Sequence, residues 1–129
     1  RRGRTFLLDG AHNPISVRQL VVELCRRPEM KNAWLIFGAM QDKDTRTMLE
    51  TLSRFFATVI LVRAGNRRAK TLGQLLAESK GLFKRILPVQ NTREAIDRMT
   101  KIPGPKVPAV VTGSFYLVGE ARKLLKGRR

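Results

Sequence analysis

The most constraining feature of the sequence is a regular alternation of short apolar runs with longer segments whose apolar residues recur at helical spacing. Continuous apolar runs are typical of strands that are buried on both faces of a sheet. Strands alternating with helices therefore predict an α/β fold, a mostly parallel, Rossmann-like sheet in three α/β/α layers. The five predicted strands are Thr5 to Leu8, Ala33 to Phe37, Thr58 to Val62, Arg85 to Val89 and Ala109 to Thr112.

The segments between these runs contain residues that are typical of helix starts. Asn13 is a good N-cap, and Pro14 suits the first turn of a helix that we expect to reach Arg27. Thr71 and Gln74 have the spacing of a capping box at the start of a later helix. Pro88 interrupts the fourth apolar run, which predicts a strand at the edge of the sheet.

Length and composition bound the fold and its setting. A chain of 129 residues is long enough for one domain with a core, and we expect a single domain over residues 1–129. No apolar run reaches the roughly 18 residues that span a bilayer, so no membrane partner is expected. The single cysteine, Cys25, lies on the apolar stripe of the first helix, which predicts a buried thiol and fits a reducing, cytoplasmic setting.

The chain is strongly basic, with 26 Lys and Arg against 10 Asp and Glu and a formal net charge of +16. This balance predicts attraction to polyanions such as nucleic acid or phosphate-rich substrates. A basic solvated surface explains the same charge, and no zinc-finger spacing or helix-turn-helix pattern accompanies it.

Three polar loops follow strands whose carboxyl ends should lie at one edge of the sheet, where ligands of such folds bind. They span residues 9–13, 38–44 and 112–116. Taken singly, their polar residues have ordinary roles: Asp9 caps a turn, His12 donates a hydrogen bond, Lys43 is solvated and Ser114 is an N-cap. Together they indicate a binding site, since helix N-termini at Asn13 and Ser114 would offer N–H donors to an anion.

Two common phosphate-binding patterns are missing from the sequence. It has no Gly-x-x-x-x-Gly-Lys-Ser/Thr loop, and no Gly-x-Gly-x-x-Gly follows the first strand. A free-standing ATPase and a dinucleotide-dependent dehydrogenase are therefore both disfavoured. His12, the only histidine, lacks the companions that a zinc site needs, so no metal ligands are predicted.

Three longer motifs give the sequence a specific resemblance. They are Leu8-Asp-Gly-Ala-His-Asn-Pro14, Phe37-Gly-Ala-Met-Gln-Asp-Lys-Asp44 and Val111-Thr-Gly-Ser-Phe-Tyr-Leu-Val-Gly-Glu120, in that order. The chain resembles, over nearly its whole length, the C-terminal domain of the folylpolyglutamate synthase/dihydrofolate synthase family in the Mur ligase superfamily.

The resemblance implies an activity that this chain would share with other domains. Such ligases use ATP and Mg²⁺ to activate a carboxylate as an acyl phosphate, which the amino group of L-glutamate attacks to form an amide. The P-loop central domain, the Mg²⁺ ligands and the pocket for folate or dihydropteroate would lie outside this chain. The chain alone is therefore expected to have little or no ligase activity.

The resemblance also assigns roles at the three loops. It implies that Asp9 contacts the nucleotide with support from Asn13, and that His12, Ser114 and Lys43 hold glutamate. His12 could instead act catalytically as the proton acceptor for the amine. The resemblance also implies that the strand before Asp9 lies beside the strand before Ser114. The family's phosphate-contacting arginine lies further upstream, and Arg4 is not taken as its replacement.

Two alternatives remain open at this point. A ligase-derived module could use its basic surface on nucleic acid, in which case binding should weaken steeply as salt rises. A related Mur-type ligase could use a different amino acid, which the three motifs do not exclude.

Overall fold

The computed structural model describes residues 4–103 and 106–127, and within these ranges strands and helices alternate strictly. The strands are β1 (Phe6–Leu8), β2 (Trp34–Phe37), β3 (Thr58–Val62), β4 (Arg85–Val89) and β5 (Ala109–Thr112). The helices are α1 (Pro14–Cys25), α2 (Thr45–Ser53), α3 (Leu72–Ser79), α4 (Thr92–Thr100) and α5 (Phe115–Gly127), and a 3-10 turn (Pro28–Met30) follows α1.

The five strands form one sheet in the order β1-β5-β2-β3-β4, and every neighbouring pair is parallel. The last strand, β5, lies between the first two: Leu8 is in register with Val111 on one side, and Phe37 with Thr112 on the other. The loops that follow β1, β5 and β2 are therefore neighbours at the carboxyl edge, as the resemblance implied for β1 and β5.

The core consists of two apolar layers, one on each face of the sheet. Helices α1, α2 and α3 pack on one face against residues such as Leu35, Phe37 and Leu61. Helices α4 and α5 pack on the other face against Ile36 and Ile60. Because adjacent residues of a strand point to opposite faces, each inner strand contributes to both layers, and the predicted three-layer α/β/α architecture is confirmed.

Two expectations about burial were wrong. Strand β1 was expected to be buried on both faces, but it forms one edge of the sheet and is only half-buried. Cys25 was expected to be a buried thiol, but it is exposed. Helix α1 ends at Cys25 instead of Arg27. Its buried residues are Val17, Leu20 and Leu24, and Cys25, the residue after Leu24, lies outside this buried stripe.

The edge position predicted for β4 from Pro88 is confirmed, since β4 pairs only with β3. Among residues 4–103 and 106–127, helices long and apolar enough to cross a bilayer are absent.

Candidate functional site

The loop after β1 is held by hydrogen bonds between near neighbours and by bonds to residues 111–113. The Asp9 N–H continues the sheet by donating to the Val111 carbonyl at 3.0 Å. One Asp9 carboxylate oxygen, Oδ1, accepts from the Ala11 N–H at 2.9 Å, which closes a tight turn. In the described part of the chain the other oxygen, Oδ2, makes no hydrogen bond, so Asp9 retains an acceptor for a ligand.

Asn13 is the N-cap of helix α1, and its side-chain oxygen is used for this cap. Its side-chain oxygen accepts from the Ser16 N–H at 2.8 Å, while Ser16 Oγ lies 3.2 Å from the Asn13 N–H and completes a capping box. The same Oγ accepts from the His12 N–H at 3.0 Å. The cap therefore fixes the backbone on which His12 is carried.

The orientation of the His12 ring is fixed by two contacts. Ring atom Nδ1 lies 3.1 Å from the Gly10 carbonyl oxygen, and the ring packs against Phe115 with centroids 4.8 Å apart. A carbonyl oxygen only accepts, so Nδ1 carries the proton in this contact and Nε2 of the neutral ring is an acceptor. A Cβ at position 10 would approach Phe115 Cε1 to 2.6 Å, and therefore only glycine leaves room for this packing.

Ser114 reaches the same place from the far end of the chain. Its Oγ accepts from the Leu117 N–H at 3.0 Å, so it is the N-cap of α5, and it is fully buried. The preceding Gly113 has φ +117° and donates its N–H to the Ala11 carbonyl at 3.0 Å. A side chain on Gly113 would collide with the Gly38 carbonyl, which explains how the three loops pack so closely.

His12, Lys43 and Ser114, three of the residues predicted to form the site, line one cleft of about 200 Å³. Asp9 lies in a separate cavity of about 410 Å³, and His12 and Phe115 line both. The imidazole therefore stands between a cleft with basic side chains on one side and the Asp9 carboxylate on the other. The other residues lining the first cleft are Met40, Asp42, Arg68, Phe115 and Tyr116.

Arg68 is a cleft residue that the sequence analysis missed. The loop after β3, residues 63–70, folds back onto the loop after β2, residues 38–44. The Gln41 N–H donates to the Arg68 carbonyl and the Lys70 N–H donates to the Ala39 carbonyl, each at 2.8 Å. Nothing in the sequence signalled this pairing, because its partners are about 30 residues apart and neither loop has a strand pattern.

Lys70 belongs to the same basic stretch but is buried. Its Nζ donates to Thr45 Oγ1 at 2.8 Å and to Glu78 Oε2 at 2.9 Å, and Thr45 is also hydrogen-bonded to the other Glu78 oxygen. Lys70 therefore ties the end of its loop to the first residue of α2 and to α3, and it does not contribute a free positive charge to the surface.

Arg4 lies before β1, at the opposite edge of the sheet from the cleft. Its guanidinium donates to the carbonyl oxygens of Val107 at 2.9 Å and Ile102 at 3.4 Å. It therefore anchors the start of the described chain to the segment before β5. Within residues 4–103 and 106–127, no group of three or more His, Cys, Asp or Glu side chains is arranged to hold a metal ion.

Comparison with known proteins shows the family to which the chain belongs. A family model described as "Mur ligase, glutamate ligase domain" matches residues 1–115. The chain is 32% identical to folylpolyglutamate synthase of Lacticaseibacillus casei over 95% of its own length and 27% of that protein. It is also 32% identical to a probable bifunctional folylpolyglutamate synthase/dihydropteroate synthase of Haloferax volcanii, over 92% of this chain and 14% of that one.

Solved structures match the fold closely. Folylpolyglutamate synthase from Thermotoga maritima superposes with a TM-score of 0.85 at 30% identity, over all of this chain and 29% of that one. The Mycobacterium tuberculosis enzyme complexed with ADP superposes with the same TM-score at 28% identity, over 96% of this chain and 30% of that one. The chain thus spans less than a third of each of these relatives, and it belongs to the Mur ligase glutamate ligase domain family.

Proposed function

We propose that this chain is the C-terminal domain of an ATP-dependent ligase that adds L-glutamate to a folate or dihydropteroate through an acyl phosphate. The observation that carries the proposal is the position of His12 between two cavities of different chemistry. Because the chain spans only part of its relatives, a central domain with a P-loop is proposed as its partner within one enzyme.

The cleft beside Lys43 and Arg68 suits an amino acid with two carboxylates. These two cations outnumber the one carboxylate in the cleft, that of Asp42, and the Arg68 guanidinium is able to bind a ligand carboxylate through two hydrogen bonds. The Ser114 hydroxyl uses a lone pair for the helix cap and so keeps its proton for a second carboxylate. The positive N-terminal end of the α5 dipole also favours the binding of a carboxylate there.

His12 is well placed to accept the proton that the attacking amine must lose. In the proposed step a C–N bond forms at the acyl phosphate, the C–O bond to phosphate breaks, and phosphate departs. The amine proton moves to Nε2, which is free because Nδ1–H is engaged by Gly10. The same atom would otherwise only orient glutamate, and the two roles differ in their pH dependence.

Asp9 is proposed to contact the ribose of ATP, since its Oδ2 is an unused acceptor in the larger cavity. Asn13, the N-cap of α1, is proposed to support the nucleotide side of the site together with Asp9. The ligands of Mg²⁺ are proposed to lie in the central domain, and the described residues include no group of three or more His, Cys, Asp or Glu side chains arranged for a metal ion. ATP supplies the phosphoryl group that activates the carboxylate.

Catalysis in this arrangement rests on positioning and charge stabilisation, without a protein nucleophile. The P-loop and the Mg²⁺ ligands are assigned to the proposed central domain, so the 129-residue chain alone should make little or no product. A free, exposed Cys25 fits the cytoplasm, which we propose as the setting.

The test is a two-dimensional NMR titration of the chain with L-glutamate and, separately, with ATP. We expect glutamate to shift resonances of His12, Lys43, Arg68 and Ser114, and ATP to shift those around Asp9. Lys43→Met should weaken glutamate binding by about tenfold, as expected for the loss of one charge-assisted contact. The matched control, Lys31→Met at an exposed lysine remote from the cleft, should leave it unchanged.

Two results would overturn this assignment. Stronger shifts with another amino acid than with L-glutamate would assign the cleft to a different Mur-type ligase. Binding of an oligonucleotide at the same residues, with a steep loss of affinity as salt rises, would favour a nucleic-acid module.

A further inference from the structure

A second basic cavity lies outside the cleft and outside the Asp9 cavity. It has a volume of about 440 Å³ and opens between the loop after β3, the start of α4 and one face of α5. Each of these three elements contributes one cation, namely Arg63, Arg93 and Lys123. None of the residues that we assign to glutamate or nucleotide lines it, so the proposed ligase chemistry gives it no role.

The walls of this cavity are joined by one side chain, that of Glu120. Its Oε2 accepts from the Gly65 N–H at 2.7 Å, and its Oε1 accepts from the Thr92 hydroxyl at 2.7 Å. A Cβ at position 65 would collide with the Glu120 carboxylate in its present position, so the glycine allows this close approach. The cavity is therefore a built feature that links α5 to both of the other elements.

The charge in the cavity is predominantly positive. Three cations face one carboxylate, and both oxygens of that carboxylate are engaged in hydrogen bonds. In the described part of the chain, Arg63, Arg93 and Lys123 take part in no ion pair. Arg63 donates from one guanidinium nitrogen to the Arg67 carbonyl oxygen at 3.4 Å, and its other N–H groups stay available. An ion of opposite charge would therefore find donors at all three side chains.

The hydrogen-bond donors around the cavity suit a ligand with several oxygens, such as a phosphate group. Asn91 caps α4 by accepting from the Glu94 N–H, which leaves the first N–H groups of the helix, those of Thr92 and Arg93, without intrahelical partners. Helix N–H groups, two guanidinium forks and an ammonium together match the several oxygens of a phosphate group. Beside them, Ala64 and Leu124 provide an apolar wall that can accommodate the organic part of a ligand.

We propose that this cavity binds a phosphate-bearing ligand through Arg63, Arg93 and Lys123. The cavity is distinct from the glutamate cleft, although residues 63–70 contribute to both: Arg63 lines the cavity and Arg68 lines the cleft. The inference does not depend on the proposed ligase function, because it rests on the charges and walls of this cavity alone.

The probe for the experiment is inorganic pyrophosphate, titrated into the 129-residue chain at constant ionic strength and followed by two-dimensional NMR. Saturable shifts are expected at Gly65 and Thr92. The triple variant Arg63→Gln/Arg93→Gln/Lys123→Gln should bind pyrophosphate at least about tenfold more weakly, because charge-assisted contacts are lost. All three side chains are exposed, so the fold should be retained.

A charge-matched control separates a site from general attraction to a basic protein. The triple variant Arg26→Gln/Arg54→Gln/Lys84→Gln removes three exposed cations elsewhere and has the same net charge. It should bind pyrophosphate within about twofold of the original chain, since long-range attraction is largely screened at moderate salt.

The outcomes are distinguishable. Equal weakening in the two triple variants, or shifts confined to the glutamate cleft and the Asp9 cavity, would overturn the proposal. Loss confined to the cavity variant upholds it. A short single-stranded oligonucleotide then distinguishes the source of the phosphate: tighter binding than pyrophosphate through the same three cations, with a steep salt dependence, indicates nucleic acid, and weaker binding indicates a small phosphate compound.

Discussion

Two loops at the carboxyl edge of the sheet carry site residues, but they are held in different ways. The loop of residues 9–13 is stabilised mainly by bonds between near neighbours, such as Asp9 with Ala11 and Asn13 with Ser16. The loop of residues 63–70 is held by distant partners, including the β2–α2 loop and Glu78 on α3. Beyond its near neighbours, the first loop is bonded to one distant segment, residues 111–113. The second loop has local bonds around Asn66 and is also bonded to four distant segments, namely the β2–α2 loop, α2, α3 and α5.

This difference has a consequence for stability and for function. Damage to the first loop should be confined to the start of α1 and residues 111–113, because the hydrogen bonds of this loop join those segments. Damage to the second loop should spread to the β2–α2 loop and to α3, because one buried lysine connects them. Three substitutions measure the contrast, and they are given in order of decreasing expected effect on stability.

The largest effect is expected for Lys70→Met. It removes both Nζ contacts and leaves Glu78 with a partly buried, unpaired carboxylate, at a cost of about 2 kcal/mol. Chemical denaturation should measure this loss. Amide exchange should accelerate at Gln41 as well as at Lys70, since the two loops are bonded to each other.

The exposed Lys84 provides the matched control. Lys84→Met should change neither the free energy of unfolding nor the amide exchange rate at Gln41. If amide exchange at Gln41 stayed as slow in Lys70→Met as in the original chain, the two loops would be independent and the contrast would be wrong.

A smaller loss is expected for Asn13→Ala, which removes the N-cap of α1. Caps of this type contribute about 1 kcal/mol, and the backbone of His12 loses the support of Ser16. Amide exchange should accelerate in the first turn of α1 and remain unchanged at Gln41. Acceleration at Gln41 would show that the first loop is also coupled to distant segments.

The smallest change in stability is expected for Asp9→Asn. The amide retains an oxygen that can accept from the Ala11 N–H, so the free energy of unfolding should change by less than about 0.5 kcal/mol. Because the carboxylate is lost, the ATP-induced shifts around residue 9 should weaken strongly. Unchanged ATP shifts in a stable variant would remove Asp9 from the proposed nucleotide contact.

The sequence predicted those parts of the fold that depend on local patterns. Strands β3, β4 and β5 have the predicted bounds because each is a short apolar or β-branched run between clear breaks. The errors at Cys25 and β1 have a different origin. Whether a residue is buried depends on which elements pack around it, and the periodicity of one segment does not specify its neighbours.

The same distinction applies to the candidate site. The three motifs predicted Asp9, His12, Lys43 and Ser114 as site residues. All of these except Asp9 line one cleft in the structure. Arg68 was not predicted, because its position results from the pairing of two loops that have no strand pattern. The roles of all five residues in binding remain proposals that the titrations test.

The placement of β5 between β1 and β2 also constrains how the protein is made. The Thr112 hydroxyl donates to the Ala11 carbonyl across 101 positions of sequence, and in the described chain β1 has no neighbour other than β5. A ribosome therefore makes residues 9–13 before β5, and β2, β3 and β4 are already available to pair when β5 emerges. A nascent chain lacks the cleft until β5 and Ser114 emerge, so binding competence cannot precede the synthesis of this strand.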